Sequence, residues 1–347
     1  MPEQSPRCAI VVVREVRSQM PEPLSDRPSE DLLRNLIGRL AKAKLKLIRQ
    51  ALLQHFSLKN TRQTWPATFP EALGPADTWL VIVGSKRLLA RQILQRFPHH
   101  TLFAEVFGGG ANLVLQKPFD PAISEVYNDL NRELANLFWV IQNQFGDFYA
   151  KLFWSVRARA IWEEWKQIEA SSLDRVTRAV RYFYLLRTSF SGKQDFASFA
   201  VNYDRQNRKI LVPPLSALYK VHHRFQRVLI EALSYEEFIP RYDRPGVLFY
   251  LDPPYEVTAT DSSYYAYSWP LPEHGKLRKV LEDVKGKWLL SYNDSPRIRQ
   301  LYADFIIEQL PTSYSVGSPR GSRKSVFELL IRNYDLQKQG ELDKFLD

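Results

Sequence analysis

The stretch Val247-Leu248-Phe249-Tyr250-Leu251-Asp252-Pro253-Pro254-Tyr255 constrains the fold more than any other segment of this chain. Five apolar or aromatic residues in a row predict a short strand buried on both faces, as in the interior of a parallel sheet. The run stops at a carboxylate, and the two prolines that follow bar any continuation as strand or helix. A strand with this ending holds four groups at the carboxyl edge of a sheet: the Asp252 carboxylate, the Pro253 carbonyl, a stiff turn and the Tyr255 ring. In open α/β sheets that edge is where ligands bind.

Few reactions suit those groups. The exocyclic amine of a purine or pyrimidine is a poor nucleophile, because its lone pair is delocalised into the ring. Two acceptors, Asp252 and the Pro253 carbonyl, can grip its N–H bonds and draw the nitrogen towards tetrahedral geometry. The Tyr255 ring can stack on the base, a contact worth roughly 1–3 kcal/mol. The same residues also suit a plain Pro-Pro turn with Asp252 capping a neighbour, and a short motif alone does not separate the two.

Upstream segments supply the rest of a nucleoside site. Thr101 to Leu113 reads as strand, the turn Gly108-Gly109-Gly110, then helix, which is the first βα unit of a Rossmann-like sheet. The full G-x-G-x-x-G pattern is absent. A cofactor without a pyrophosphate needs close backbone approach and not a complete phosphate cradle. Roughly twenty residues on, Asp129 ends the next predicted strand, the spacing at which an acid receives ribose hydroxyls. Asp129 equally suits the start of a helix over 132–142.

Together these segments resemble the Dam-like family of adenine-N6 DNA methyltransferases. The resemblance rests on Asp252-Pro253-Pro254-Tyr255 with Thr258-Ala259-Thr260 and Tyr264-Tyr265-Ala266-Tyr267 behind it, on the glycine turn, and on Gly84-Ser85-Lys86. It also includes Leu186 to Lys193, similar to the family's Arg-Thr-x-Phe-Asn-Gly stretch with Ser191 in place of Asn, and Leu289 to Ser295. It covers residues 79 to 335, and Ile82 stands where the family has an aromatic. The resemblance implies S-adenosylmethionine as methyl donor, no metal, and catalysis by Asp252, Pro253 and Tyr255. It assigns Ile82, Lys86, Glu105, Phe107, Gly108, Gly110, Asp129 and Asp252 to the cofactor, with Lys86 placed to bond the methionyl carboxylate. It implies double-stranded DNA as partner, and leaves open a companion restriction endonuclease. The same fold acting on cytosine-N4 or RNA adenine, or a non-catalytic DNA-binding relative, stays open.

Bulk composition agrees. Of 347 residues 45% are hydrophobic, enough for one sizeable core and a smaller domain, and the net charge of +10 is in the range of nucleic-acid binders. A single cysteine, Cys8, rules out an internal disulfide and a multi-thiolate zinc site. The early apolar run Ala9 to Val13 is too short for a membrane span, so a cytoplasmic protein without a membrane partner is expected.

The expected fold class is α/β: a Rossmann-like methyltransferase sheet with a mostly helical target-recognition insertion. Residues 1–78 form an extension with a basic amphipathic helix that carries Arg34, Arg39, Lys42, Lys44, Lys46 and Arg49. Residues 79–144 and 236–335 make the catalytic domain, 145–235 the recognition region and 336–347 a tail. Arg187 and Lys193, on a loop of small polar residues, and Arg320, Arg323 and Lys324, on a basic loop before the closing strand, are the candidate DNA contacts.

Overall fold

The structure, a computed structural model, describes residues 86–189, 196, 198–200, 211–255, 269–312 and 326–336. All of them belong to the unit Pro66–Asp347. The basic helix of the extension, Ile82, Lys193, Arg320, Arg323, Lys324 and the tyrosine cluster at 264–267 lie outside the described residues.

Seven strands form one sheet in the order β3-β2-β1-β4-β5-β7-β6. They are β1 (Leu102–Glu105), β2 (Ser124–Asn128), β3 (Val228–Glu231), β4 (Val247–Leu251), β5 (Lys287–Asn293), β6 (Ile306–Thr312) and β7 (Val326–Arg332). The first five run parallel, and β7 is antiparallel to both β5 and β6. The fold is thus a Rossmann-like α/β sheet closed by an antiparallel pair. Every residue of β1 and β4 is buried, as continuous apolar runs in a central parallel sheet must be. Pro311, which cannot donate to a ladder, sits on the edge strand β6, where it breaks nothing.

The chain moves from β1 out to β2 and β3, then returns across β1 to β4 and continues to β5. The reversal between β1 and β4 leaves a crevice at their carboxyl ends, where the loops diverge to opposite faces. Glu105 and Asp252 are brought to this point by register, since Glu105 pairs with Tyr250.

Helices cover both faces. On one side pack α1 (Ala90–Leu94), α2 (Asn112–Gln116), α3 (Arg132–Asn143), α4 (Phe145–Phe153), α6 (Arg175–Thr188) and α7 (Leu215–Phe225), around Phe103, Tyr127, Phe138, Phe183 and Phe225. On the other pack α8 (Tyr235–Tyr242), α9 (Leu271–Glu282) and α10 (Pro296–Leu301), around Phe238, Phe249, Trp288 and Tyr302. Helix α5 (Arg159–Gln167) presses Trp162 onto Tyr184 and Leu185 of α6. The inserted helices stand between β2 and β3. The expected boundary at 235 is therefore too late, because Val228–Glu231 is already a strand of the sheet. Among the described residues no helix is long and apolar enough to cross a membrane.

Candidate active site

The glycine turn is shaped by contacts that no other residue permits. A Cβ on Gly108 would stand 2.2 Å from Cε2 of Tyr127, a ring held in the core by Phe138 and Phe225. Gly109 adopts φ +49°, and among the described residues other than its chain neighbours no atom lies within 4 Å of where its Cβ would be. Ala111, at φ 55°, takes the left-handed conformation without being glycine and leads into α2. The Gly108 amide donates to the Asn128 carbonyl (2.7 Å) and the Tyr127 hydroxyl to the Gly109 carbonyl (2.8 Å). The fully buried Asn128 side chain donates to the carbonyls of Val106 and Leu233 and accepts from the Leu233 amide. One amide thus ties together the loops after β1, β2 and β3.

Asp129 stands against this turn. Its Oδ2 accepts from the Gly109 amide and its Oδ1 from Asn131, both at 2.8 Å. Burial pushes its carboxyl above the ordinary range, with the two amides opposing. The cap of α3 is Asn131, not Asp129. Each Asp129 oxygen keeps a second lone pair for a hydroxyl. With the open space before Gly109, that pair of acceptors fits the ribose hydroxyls of a nucleoside. Phe107, half-buried, meets the rings of Tyr235 (5.9 Å) and Trp269 (5.4 Å), so an aromatic wall stands beside the turn. Gly110 is buried within the turn.

Glu105 was expected at the cofactor. The structure commits it instead to the first turn of α2, where its carboxylate accepts from the amides of Leu113 (3.4 Å) and Val114 (3.2 Å). Burial pushes it up to about 8, the amides pull it down, and the neighbouring Asp252 adds to the rise. It therefore acts on the site through the loop it anchors.

Asp252 follows β4 and is partly exposed. Three donors reach it: Lys86 Nζ at 2.7 Å, the Ser291 hydroxyl at 3.0 Å and the Tyr255 hydroxyl at 3.2 Å. All three fall on Oδ1, and among the described residues none reaches Oδ2. Burial raises the Asp252 carboxyl, Lys86 draws it back and Glu328 raises it further. Burial would lower the Lys86 ammonium, but Asp252 and Glu328 outweigh it and hold the charge firmly on. Pro253 is buried, and among the described residues no donor is directed at its carbonyl.

Two expectations change here. Lys86 was to bond the methionyl carboxylate of a cofactor. It is buried instead between Asp252 and Glu328 Oε1 (3.2 Å), with its ammonium 4.7 Å from the Tyr255 ring centre. Tyr255 was to present a ring face to a base. Its ring is only 4% exposed and lies between Lys86 and Tyr292, and its hydroxyl donates to Glu328 as well as to Asp252. Arg187 also differs. It is not on the loop but in the last turn of α6, buried, and burial lowers its guanidinium to about 10 with Arg157 adding to the fall.

Glu328, Ser291 and Asn128 were not singled out from sequence. Glu328 does leave a signal: it is the lone acid in the apolar run Val326 to Ile331. Ser291 and Asn128 are small polar residues near strand ends, which sequence alone cannot tell from ordinary edge positions.

Comparison with known proteins agrees with the geometry. The chain is 27% identical over 280 residues to a type II methyltransferase of Lactococcus lactis subsp. cremoris, covering 76% of this chain and 96% of that one. It is 25% identical over 260 residues to the DNA adenine methylase of Escherichia coli (strain K12), covering 71% and 91%. Residues 83–316, which contain the glycine turn, Asp129 and the Asp-Pro-Pro-Tyr strand end, match the D12 class N6 adenine-specific DNA methyltransferases, and this chain belongs to that family.

Proposed function

We propose that this enzyme methylates adenine N6 on a base swung out of double-stranded DNA, with Asp252 Oδ2 and the Pro253 carbonyl gripping the amine. The reaction itself, adenine-specific DNA methylation with S-adenosylmethionine as donor, follows from the family. The observation that supports the residue assignment is the one-sidedness of Asp252. Lys86, Ser291 and Tyr255 all converge on Oδ1, which leaves Oδ2 for an outside donor.

When bound, S-adenosylmethionine supplies a methyl group on a sulfonium, which leaves as a neutral thioether. Asp129 receives the ribose hydroxyls and the glycine turn admits the methionyl portion without a Cβ in the way. Asp252 and Pro253 each accept one N6–H, which localises the nitrogen lone pair towards the methyl carbon. As the N–C bond forms, the nitrogen gains positive charge, and the Asp252 carboxylate opposes it at close range. The surplus N6 proton then passes to Oδ2, where the raised affinity of a buried carboxylate holds it until it exchanges with water. Extruding the base costs a few kcal/mol, offset by contacts to phosphates. We also infer a cytoplasmic protein with a companion endonuclease, a reading supported by the type II designation of the Lactococcus relative.

Asp252→Ala is expected to lower the single-turnover methylation rate by several orders of magnitude while DNA affinity stays within a few-fold. Near-normal methylation by a folded variant would overturn the assignment. The target itself is tested by digesting DNA from expressing cells with adenine-methylation-sensitive nucleases.

A further inference from the structure

Glu328 sits in the middle of β7, between β5 and β6, in register with Asn293 on one side and Leu310 on the other. It is fully buried, as are Leu329, Leu330 and Ile331 beside it. A carboxylate in such a place is costly unless other groups meet its charge. Two of the groups that meet it also serve Asp252: Lys86 reaches Glu328 Oε1 at 3.2 Å and Asp252 Oδ1 at 2.7 Å, and the Tyr255 hydroxyl contacts both carboxylates.

We propose that Glu328 is a positioning residue for methyl transfer: by sharing Lys86 and Tyr255 with Asp252, it fixes the groups that clamp Oδ1 and so keeps Oδ2 turned to the base. The inference rests on the assignment of Asp252 as acceptor of the amine. The charge balance gives the reason. Lys86 alone with Asp252 would form a neutral ion pair, a weak acceptor for an amine that is becoming positive. Two carboxylates share the Lys86 ammonium, so it is not spent on Asp252 alone. Tyr255 has a single hydroxyl proton to give, and both carboxylates lie within its reach. Ser291, itself joined to the Tyr250 hydroxyl (2.9 Å), completes the clamp on Oδ1 from β5.

The groups that set the titration of Asp252 are Lys86, Glu328 on β7 and the Ser291 hydroxyl on β5, and Tyr250 on β4 and Glu105 at the end of β1 feel its charge in turn. Of these, Glu328 holds the Asp252 carboxyl up, so its removal must let that carboxyl titrate lower. A part that merely fills space would have no such effect.

The test compares Glu328→Gln and Glu328→Asp in the full-length enzyme. Single-turnover methylation of an adenine-containing duplex is followed against pH, and the Asp252 carboxyl is titrated by carbon-13 NMR without donor or DNA. E328Q should lose about 10- to 100-fold in rate at the plateau, a range appropriate to one misplaced electrostatic group. Its acidic limb and its NMR titration should both move to lower pH, and its affinity for S-adenosylmethionine should stay within about threefold, as Glu328 lies away from the glycine turn. E328D, which keeps the charge, should recover most of the rate and hold the limb in place. A wild-type rate with an unmoved limb in E328Q overturns the proposal, as does a limb that moves upward. If E328Q does not fold, E328D decides alone: a limb at the wild-type position supports the proposal, and a displaced limb or complete loss of rate in folded protein overturns it. Asp252→Ala keeps the two readings apart. If it is inactive while E328Q behaves as wild type, only the inference about Glu328 fails; if it is active, the assignment of Asp252 fails first.

Discussion

Tyr255 has two features with different consequences, a ring and a hydroxyl. The sequence reading favours the ring, and on that reading phenylalanine should serve nearly as well. The structure buries the ring and places the hydroxyl between two carboxylates. Removing a hydrogen bond to a buried charged group costs about 1–3 kcal/mol, so Tyr255→Phe is expected to lose roughly 10- to 100-fold in transfer rate. A rate within twofold of wild type, measured in single turnover, would restore the ring reading. Glu105 offers a test by pH. Its folded carboxyl lies near 8 against an ordinary 4.5, so the folded state binds the proton more tightly. Its contribution to stability is therefore complete below about 4.5 and is lost as pH rises through about 8. Glu105→Gln should flatten the melting-temperature profile across that window, gaining on wild type at the alkaline end; parallel profiles would show that Glu105 stays charged throughout.

Among elements, the turn after β1 shows how backbone and core act on each other. Gly108 is needed because a ring of the core, not a ligand, occupies the place of its side chain. Tyr127 cannot swing aside, since its hydroxyl holds the Gly109 carbonyl and its ring packs against Phe138 and Phe225. Gly108→Ala should therefore destabilise by about 1–3 kcal/mol, the usual cost of overpacking, and weaken donor binding at least tenfold by displacing the turn. Thermal melts with calorimetric titration of S-adenosylmethionine check both, and unchanged values would mean that the turn shifts freely. The glycines themselves were legible in sequence as a turn between strand and helix. That Tyr127 rather than cofactor makes the first of them obligatory was not, because the two residues meet only when β1 and β2 pair.

At the scale of the whole molecule, every described residue of the site lies beyond Pro66. A chain begun at Pro66 is expected to melt cooperatively and to bind S-adenosylmethionine within about threefold of full length. Loss of the six cations from Arg34 to Arg49 should lower the salt dependence of DNA binding if that helix touches phosphates. A truncated chain that fails to bind the donor would show that the extension completes the site.

The run Val247 to Leu251, the proline pair and the glycine turn were enough to specify a parallel sheet and the edge at which it works. These are local properties: an apolar run has no exposed face, proline has no amide to donate, and a run of glycines between strand and helix marks a turn. The place of Asp129 just after β2 was likewise readable from spacing, since a βα unit has a nearly constant length. Only tertiary structure could bring Lys86, Asp252, Ser291 and Glu328 together, because they come from four segments as far as 242 positions apart in the 347-residue chain. Which carboxylates surround Lys86 depends on which strands become neighbours, and the antiparallel return of β7 beside β5 brings Glu328 to it.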